Sequence, residues 1–368
     1  MLSFVIRRLG VMILTALVLT FVVFSLTNLP PNLEKLAKSE GSVRMSDDAV
    51  ASWLEANGHT GPMIGRYGQW LGVLPGWVRD DGGVITGRCI AKGMAPEDAP
   101  TRCGVLQGNW GFSTVFKQPV DTVLARSLGH TGWLMLWVML VMVPSALIIG
   151  VLSGMREGSR LDRVLSTFAI ASTATPEYVS GVIFVAIFAS ATAGISPLLV
   201  SWGLLGSPDT LFGQGKTLFQ GTATSAMDGI TFWNFGLPVM TIALYGIGYI
   251  ARMTRASMTE VMTQQYIRTA RLKGASFRHV VVKHALRNAL IAPFTVIMLQ
   301  FPWLLNGVVI VETLFNYKGF GWTLVQAAGN NDIDLLLGCS VVAVFVVLVT
   351  QLISDIGYVF LNPRIRLA

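Results

Sequence analysis

Six runs of apolar residues, separated by polar and often basic stretches, set the pattern of the chain. A helix needs about 20 apolar residues to cross the hydrocarbon core of a bilayer. Leu9–Leu26 carries no charge, and its apolar character continues to Leu29. The second run is Gly132–Ser153, and the third begins near Val164 and ends about Gly194. The fourth is Phe235–Met253, the fifth Ala289–Val311 and the sixth Leu335–Leu361. Arg7 and Arg8 look like the start of a secretory signal, but the 18 residues that follow exceed the ~7–15 of a signal core. No small-x-small cleavage site follows, so the first run reads as a retained span. Pro144, Pro176, Pro293 and Pro302 interrupt the runs, which membrane helices tolerate when neighbours satisfy the freed backbone groups. The pattern predicts an all-α, polytopic membrane protein with six transmembrane helices.

The polar stretches fix an expected orientation. Arg156, Arg160 and Arg163 follow span two, and the segment Arg252–Asn288 holds eight basic residues against the single acid Glu260. Arg7 and Arg8 precede span one, and Arg364 and Arg366 follow span six. The opposite loops, Ile195–Asn234 and Glu312–Asp334, hold one lysine each. Basic residues in short loops mark the cytoplasmic side, so both termini and the basic loops are expected there. Composition agrees with this class: only 13% of residues are charged, against about 25% in a soluble protein. The net charge of +7 then reads as topology, with no nucleic-acid partner, and the lipid bilayer becomes the first partner.

Pro30–Ser127 breaks the pattern. It balances ten basic with ten acidic residues and carries Trp53, Trp70, Trp77 and Trp110. Long loops translocate largely regardless of charge, and its place after span one puts it outside. The expected organisation is residues 1–29 as tail and first helix, 30–127 as an external loop domain, and 128–368 as a core of five helices. Cys89 and Cys103 lie 14 positions apart in the outer loop. In an oxidising compartment they are expected to pair, stabilising the cap by roughly 3 kcal/mol in the chain-entropy model. Cys339, alone in span six, reads as packing.

Candidate enzyme chemistry fails on inspection. Gly213-Gln-Gly-Lys-Thr217 mimics the end of a phosphate-binding loop, but position 210 is Thr210 where that loop needs glycine. His279 and His284 are five apart and lack the glutamate of a zinc-protease helix. No Gly-x-Ser-x-Gly elbow occurs, and no acid, base and nucleophile converge within the spans, so no enzyme activity, metal or cofactor is expected on this chain. Within the spans, Glu177 follows Pro176, where a kink frees backbone groups. A carboxylate there is costly unless paired or facing water, so Glu177 is a candidate for the translocation path or for a local bond to Ser or Thr.

The most distinctive stretch is the basic loop between spans four and five. Met258, Val261, Met262, Tyr266 and Ala270 fall roughly at helical spacing, with Arg268, Arg271 and Lys273 on other faces. Gly274 suits a left-handed helix stop and Ser276 the cap of a following helix. The loop reads as helix, tight turn, helix: either a basic amphipathic surface on lipid headgroups or a rigid knob for another protein's groove.

Arg268-Thr-Ala-x-x-x-Gly274, followed by His284-Ala-Leu-Arg287, resembles the EAA loop of ABC importer permeases. The fuller version, Tyr266-Ile-Arg-Thr-Ala-Arg-x-Lys-Gly274 with Lys283-His-Ala-Leu-Arg-Asn288, is similar to the dipeptide/oligopeptide branch. Ile6-Arg-Arg8, Gly158-Ser-Arg-Leu-Asp-Arg163, Leu237-Pro238, Arg252-Met-Thr-Arg-Ala-Ser-Met258, Val311-Glu-Thr313, Gly319-Phe-Gly321 and Asn362-Pro-Arg-Ile-Arg366 agree in order. The resemblance covers nearly the whole chain except about residues 73–105, which look like an insertion. Lys318 stands where the family usually has proline, Pro30-Pro31-Asn32 replaces Pro-Gly-x-Pro, and Glu177 replaces a commonly neutral residue.

The resemblance implies a type I importer fold in a bacterial inner membrane, with this chain as the pore-forming subunit for peptides. It further implies a homologous second permease, an external substrate-binding protein, and two cytoplasmic ATPases (or one fused chain) that carry the ATP and magnesium. Those motors would dock on residues 252–288, at Arg268, Thr269, Ala270, Arg271, Gly274 and Ala275, with His284 on the second helix and Leu286 anchoring that helix against the membrane-side bundle. An ion-coupled carrier and a membrane-anchored ligand sensor are the alternatives. The absence of a visible repeat and of an output domain argues against them.

Overall fold

In lipid every backbone N–H and C=O must be bonded internally, so an apolar run has little choice but helix. The computed structural model describes residues 2–82, 84–90, 94–207 and 215–361. Thr210, Gly213 and Gln214 of the phosphate-loop mimic and the basic tail at Arg364 and Arg366 lie outside them. The molecule divides into two compact units, Met1–Ser127 with Thr323–Val346 and Leu128–Trp322 with Val347–Ala368.

The first unit begins with α1 (Leu2–Thr27), α2 (Pro30–Glu40), α3 (Asp47–Ala56) and α4 (Met63–Leu71). Prolines occupy the first turn of α2, where the missing N–H costs nothing. Ser46 caps α3 by accepting from the Ala49 amide, with Asp47 and Asp48 complementing the positive helix start. The aromatic side of α4 packs on α1. Tyr67 and Trp70 lie 5.5 and 5.6 Å from the Phe24 ring, and Tyr67 Oη is 2.7 Å from Thr20 Oγ1. A short hairpin, β1 (Val78–Asp81) with β2 (Val84–Gly87), pairs Val78 with Gly87. Just beyond it Cys89 and Cys103 are bonded to each other. A second small ladder joins β3 (Phe112–Ser113) to β4 (Gln118–Pro119).

Residues 323–346 belong to this unit for a polar reason. Asp332 accepts from Ser113 Oγ (2.6 Å) and the Val115 amide (3.1 Å), and Asp334 accepts from the Phe112 amide (3.2 Å). The first unit therefore takes in the first helix and part of the last, whereas the sequence reading separates 1–29 from 30–127 and keeps 323–346 with the core.

The second unit takes up α5 (Val120–Gly154) from Leu128 onward, then α6 (Arg160–Ala174), α7 (Glu177–Phe188) and α8 (Ser196–Ser201). It continues with α9 (Phe232–Met262), α10 (Gln265–Leu272), α11 (Phe277–His279), a π-helical turn at Val280–Ala285, α12 (Leu286–Ala289) and α13 (Ile291–Leu314). Of α14 (Phe320–Gly329) and α15 (Ile333–Leu361), which close the described chain, residues 320–322 and those from Val347 onward belong to this unit. Leu134, Val138 and Met142 from α5 meet Leu237, Ile242 and Ile250 from α9 and Leu304, Val308 and Val311 from α13 in one buried cluster. Small residues allow the close approach that membrane helices use in place of a hydrophobic drive: a Cβ on Gly150 would stand 2.4 Å from Thr254 Cβ.

Among the described residues, four helices are long and apolar enough to cross a membrane, within Ile6–Thr27, Val120–Gly154, Phe232–Met262 and Ile333–Gly357, and two bent pairs bring the total to six if each pair is one span. The third run is one of these pairs and not the single span from Val164 to Gly194. α6 and α7 meet at 109°, because Thr175 is held extended (ψ 120°) ahead of Pro176. The fifth is the other: residues 277–289 and 291–300 meet at 50°.

Candidate coupling loop and its polar locks

The loop between α9 and α13 is a folded object. Gln264 leaves the helix in an extended conformation (φ −67°, ψ 148°), and α10 restarts at Gln265. Ile267 is fully buried beside Met258, Val280, Val281, Ala285 and Ala289. Arg268, Thr269 and Arg271 face outward and exposed, with Ala270 half-buried. The chain then turns at Gly274, whose φ of +82° only glycine adopts freely; the space around it is open, so the requirement is conformational and not steric. Across the turn the Ala275 amide donates to Ala270 O (3.2 Å), and Ser276 caps α11 by accepting from the His279 amide. The guanidinium of Arg156 lies 5.0 Å from the Phe277 ring and that of Arg271 5.9 Å from the same ring. Ser257 Oγ donates to Ala289 O (2.8 Å), tying α9 to the end of α12.

Two expectations for this loop need correction. The apolar stripe from Met258 to Ala270 is not one helix face: the break at Thr263–Gln264 turns Ile267 inward and leaves Tyr266 41% exposed. Leu286 is only half-buried, and Val280, Val281 and Ala285 anchor the second helix in its place. The physical reason is the π-helical turn, which inserts extra chain into the helix and rotates the residues after it away from a 3.6-residue spacing. His284 is half-buried, its ring 5.5 Å from that of His279.

Beside the loop sits a buried carboxylate that the sequence reading passes over. Asp162, in the first turn of α6, is 2% exposed. Arg255 of α9 donates to both its oxygens, from Nε at 2.6 Å and Nη2 at 2.9 Å. Ser153 Oγ (2.5 Å), Ser166 Oγ (2.9 Å) and the Gly158 amide (2.8 Å) complete its shell. Such a bidentate, charge-assisted pair with every lone pair engaged fixes geometry as well as energy. It joins the end of α5, the start of α6 and the part of α9 that leads into the α10–α12 loop. Counting Arg255 among topology-setting charges hides this role.

A second lock lies where α13 ends. Glu312 is fully buried, although the sequence reading places it at the start of a loop. Thr131 Oγ1 of α5 donates to Glu312 Oε1 (2.5 Å) and accepts from the Phe320 amide (2.7 Å), while the Trp322 amide donates to Oε2 (3.0 Å). A Cβ on Gly319 would lie 2.1 Å from Oε1, so the Val311-Glu-Thr313 and Gly319-Phe-Gly321 segments form one clamp. Tyr317 beneath it is 1% exposed; burial and then the Glu312 carboxylate push its phenol up, and its hydroxyl donates to His130 O (2.9 Å). The signal for both locks was present: an acid conspicuous by its place in an otherwise uncharged or basic motif.

Glu177 opens α7 at the sharp bend after Pro176. It is half-buried against α13, with Oε1 3.3 Å from where a Cβ on Gly307 would stand. Its own backbone carbonyl accepts from Ser180 Oγ (2.8 Å).

Residues 146–367 match the family model of binding-protein-dependent transport system inner membrane components. The chain belongs to this family. It is similar over its whole length to the di/tripeptide transport system permease protein DppB of Pseudomonas aeruginosa (strain UCBPP-PA14), with 33% identity covering 100% of this chain and 99% of the relative. A probable peptide ABC transporter permease protein of Sinorhizobium fredii (strain NBRC 101917 / NGR234) is 34% identical over 71% of this chain and 77% of its own. The glutathione transport system permease protein GsiC of Salmonella choleraesuis (strain SC-B67) is 30% identical over 71% and 76%. This permease is therefore a multi-pass inner-membrane transport subunit and not a catalytic chain; ATP is hydrolysed on partner subunits. The α10–α12 loop, the Asp162–Arg255 pair, Glu312 and Glu177 fall within the matched region, whereas Thr131 precedes it.

Proposed function

We propose that this permease lines the pore of a peptide importer and that its α10–α12 loop transmits the ATPase stroke to the spans. The observation that carries the reading is the exposed Arg268, Thr269 and Arg271 surface backed by the buried Ile267 cluster. A motor can move a membrane domain only through a contact that does not itself yield. Arg268 and Arg271 suit acids on such a partner, and Thr269 and Ala270 are small enough for close approach. The peptide substrate is supported by the names of the relatives, two of which print a peptide and one glutathione.

In this reading the permease pairs with a homologous second permease, receives substrate from an external binding protein and docks two ATPases, or one fused chain, that hold ATP and magnesium. Both termini and the 252–288 loop are cytoplasmic, and residues 30–127 are external. Glu177, at the break between α6 and α7, faces the translocation path.

Gly274→Val tests the coupling role. A β-branched residue is strongly disfavoured at φ +82°, so the turn between α10 and α11 is forced out of register while the spans still insert. The expected result is normal membrane abundance with weakened ATPase association and lost uptake. Wild-type uptake and ATPase coupling in this variant would reduce the loop to a headgroup-binding surface.

A further inference from the structure

The first unit contains a cavity that the transport cycle described above does not use. It measures about 210 Å³, and a narrower one of about 50 Å³ shares His59, Trp77, Arg88 and Asp334 with it. Its walls are aromatic. The Trp53 and His59 rings stack 5.8 Å apart at 11°, and the Trp77 indole lies on Gly58, where φ is +70° and a Cβ would stand 2.3 Å from the ring. Burial, followed by Arg66 and Arg88, holds the His59 pKa down to about 4, so this wall is neutral at ordinary pH.

Charge of both signs lines the same space. Arg88 donates from Nε to Cys103 O (3.3 Å), and its neighbour Cys89 is bonded to Cys103, so the disulfide loop pins the guanidinium from behind. Its two terminal amino groups make no hydrogen bond among the described residues. Asp334 is held by the Phe112 amide and rests on Gly111, where φ is +87° and a Cβ would lie 2.2 Å from Oδ2. Glu40 stands at the mouth, exposed. No ion pair joins Arg88 to Asp334 or Glu40 among the described residues. Asp332, in contrast, is fully engaged by Ser113, Val115 and Leu335. Arg88 and Asp334 act on each other through space without a contact ion pair, so a ligand with opposite charges finds a partner for each in the gap between them.

The volume bounds the ligand, since drug-sized sites run to ~300–1,000 Å³. We propose that this cavity binds the zwitterion of an α-amino acid or very short peptide. Arg88 takes the carboxylate in a bidentate pair, Asp334 and Glu40 take the ammonium, and Trp53 and Trp77 flank the side chain. The site needs neither ATP nor the coupling loop, so its test does not depend on the transport reading.

The test is equilibrium binding to the full chain in lipid nanodiscs, without partner subunits, using radiolabelled leucine, dialanine and N-acetyl-leucinamide. Saturable binding of leucine or dialanine is expected, with none for N-acetyl-leucinamide, which lacks both charges. Preference for leucine assigns an amino-acid site, and preference for dialanine a peptide site. Arg88→Gln and Glu40→Gln should each weaken binding about tenfold or more, the loss of one charged hydrogen bond. Thermal melting and mass analysis of the disulfide check that Arg88→Gln folds; Glu40→Gln, at the exposed mouth, carries the test if it does not. Absence of saturable binding at millimolar concentrations, equal binding of N-acetyl-leucinamide, or unchanged affinity in Glu40→Gln would each make this a hydrated structural cavity and overturn the proposal.

Discussion

Glu177 combines three local circumstances. It opens a helix, where the unpaired amides and the macrodipole favour a negative charge. It follows a proline that breaks the helix before it. It also lies against Gly307, a position with no side chain to cover it. These make a carboxylate tolerable at a bend between membrane helices without burying it fully. If it faces the path, it attracts the ammonium of a peptide's amino terminus. Glu177→Gln should then cut uptake of peptides with a free amino terminus by about 5–10-fold, the worth of one charge-assisted bond at a wet site, while acetylated peptides change little. Uptake competition between the two peptide classes measures this, and equal rates for wild type and variant would leave Glu177 with a local role only. The sequence singled out Glu177 because it stood alone in an apolar run. It passed over Glu312, which only the length of α13 places inside a helix.

At the scale of elements, the α10–α12 loop is tied down by what lies on either side of it. Ser257 fastens α9 to α12, Ile267 fastens α10 to the cluster below, and the Asp162–Arg255 pair fastens α9 to α6. Removing one partner of a buried pair leaves the other uncompensated, typically at a cost of 3–5 kcal/mol. Asp162 is buried, but the Arg255 side chain is 31% exposed, so the lower end of that range applies. Asp162→Ala should therefore destabilise the permease by about 3 kcal/mol, and Arg255→Lys by less, because one charge contact survives while the bidentate fork is lost. Thermal unfolding in detergent ranks the two variants. A melting temperature for Asp162→Ala equal to wild type would mean that the pair does not hold α6 on α9. Helix ends and turn residues here were legible: Gly274 and Ser276 behave as their types require. The π-helical turn was not, since a wide turn has no residue signature, and Val280, Val281 and Ala285 hold the anchoring place expected of Leu286.

For the whole molecule, the distribution of basic residues predicts which side is which. Eight basic residues on the 252–288 loop face a single acid, and the opposite loops carry one lysine each. A single cysteine placed near the exposed Arg271 should react with membrane-impermeant maleimide only after the membrane is opened. One placed at Val43, 83% exposed on the first unit, should react in intact cells stripped of the outer membrane. Labelling of the Arg271 position from outside would invert the assignment of both faces.

Hydrophobic periodicity and charge by themselves determined that the chain is helical, that it carries six apolar runs long enough to be candidate spans and that one loop is strongly basic. These are consequences of solvent: lipid rejects unpaired backbone and charge at a cost that no later packing recovers, so the run lengths decide. Tertiary structure alone decided that α6 and α7 meet at 109°, that Asp332 and Asp334 draw residues 323–346 into the first unit, and that Asp162 and Glu312 are interior. The bend has a local cause in Pro176, but each of the carboxylates depends on a partner distant in sequence. Arg255 lies 93 positions from Asp162 and Thr131 lies 181 from Glu312. A carboxylate's worth is set by the donors that reach it, and no local pattern records which donors the fold will bring.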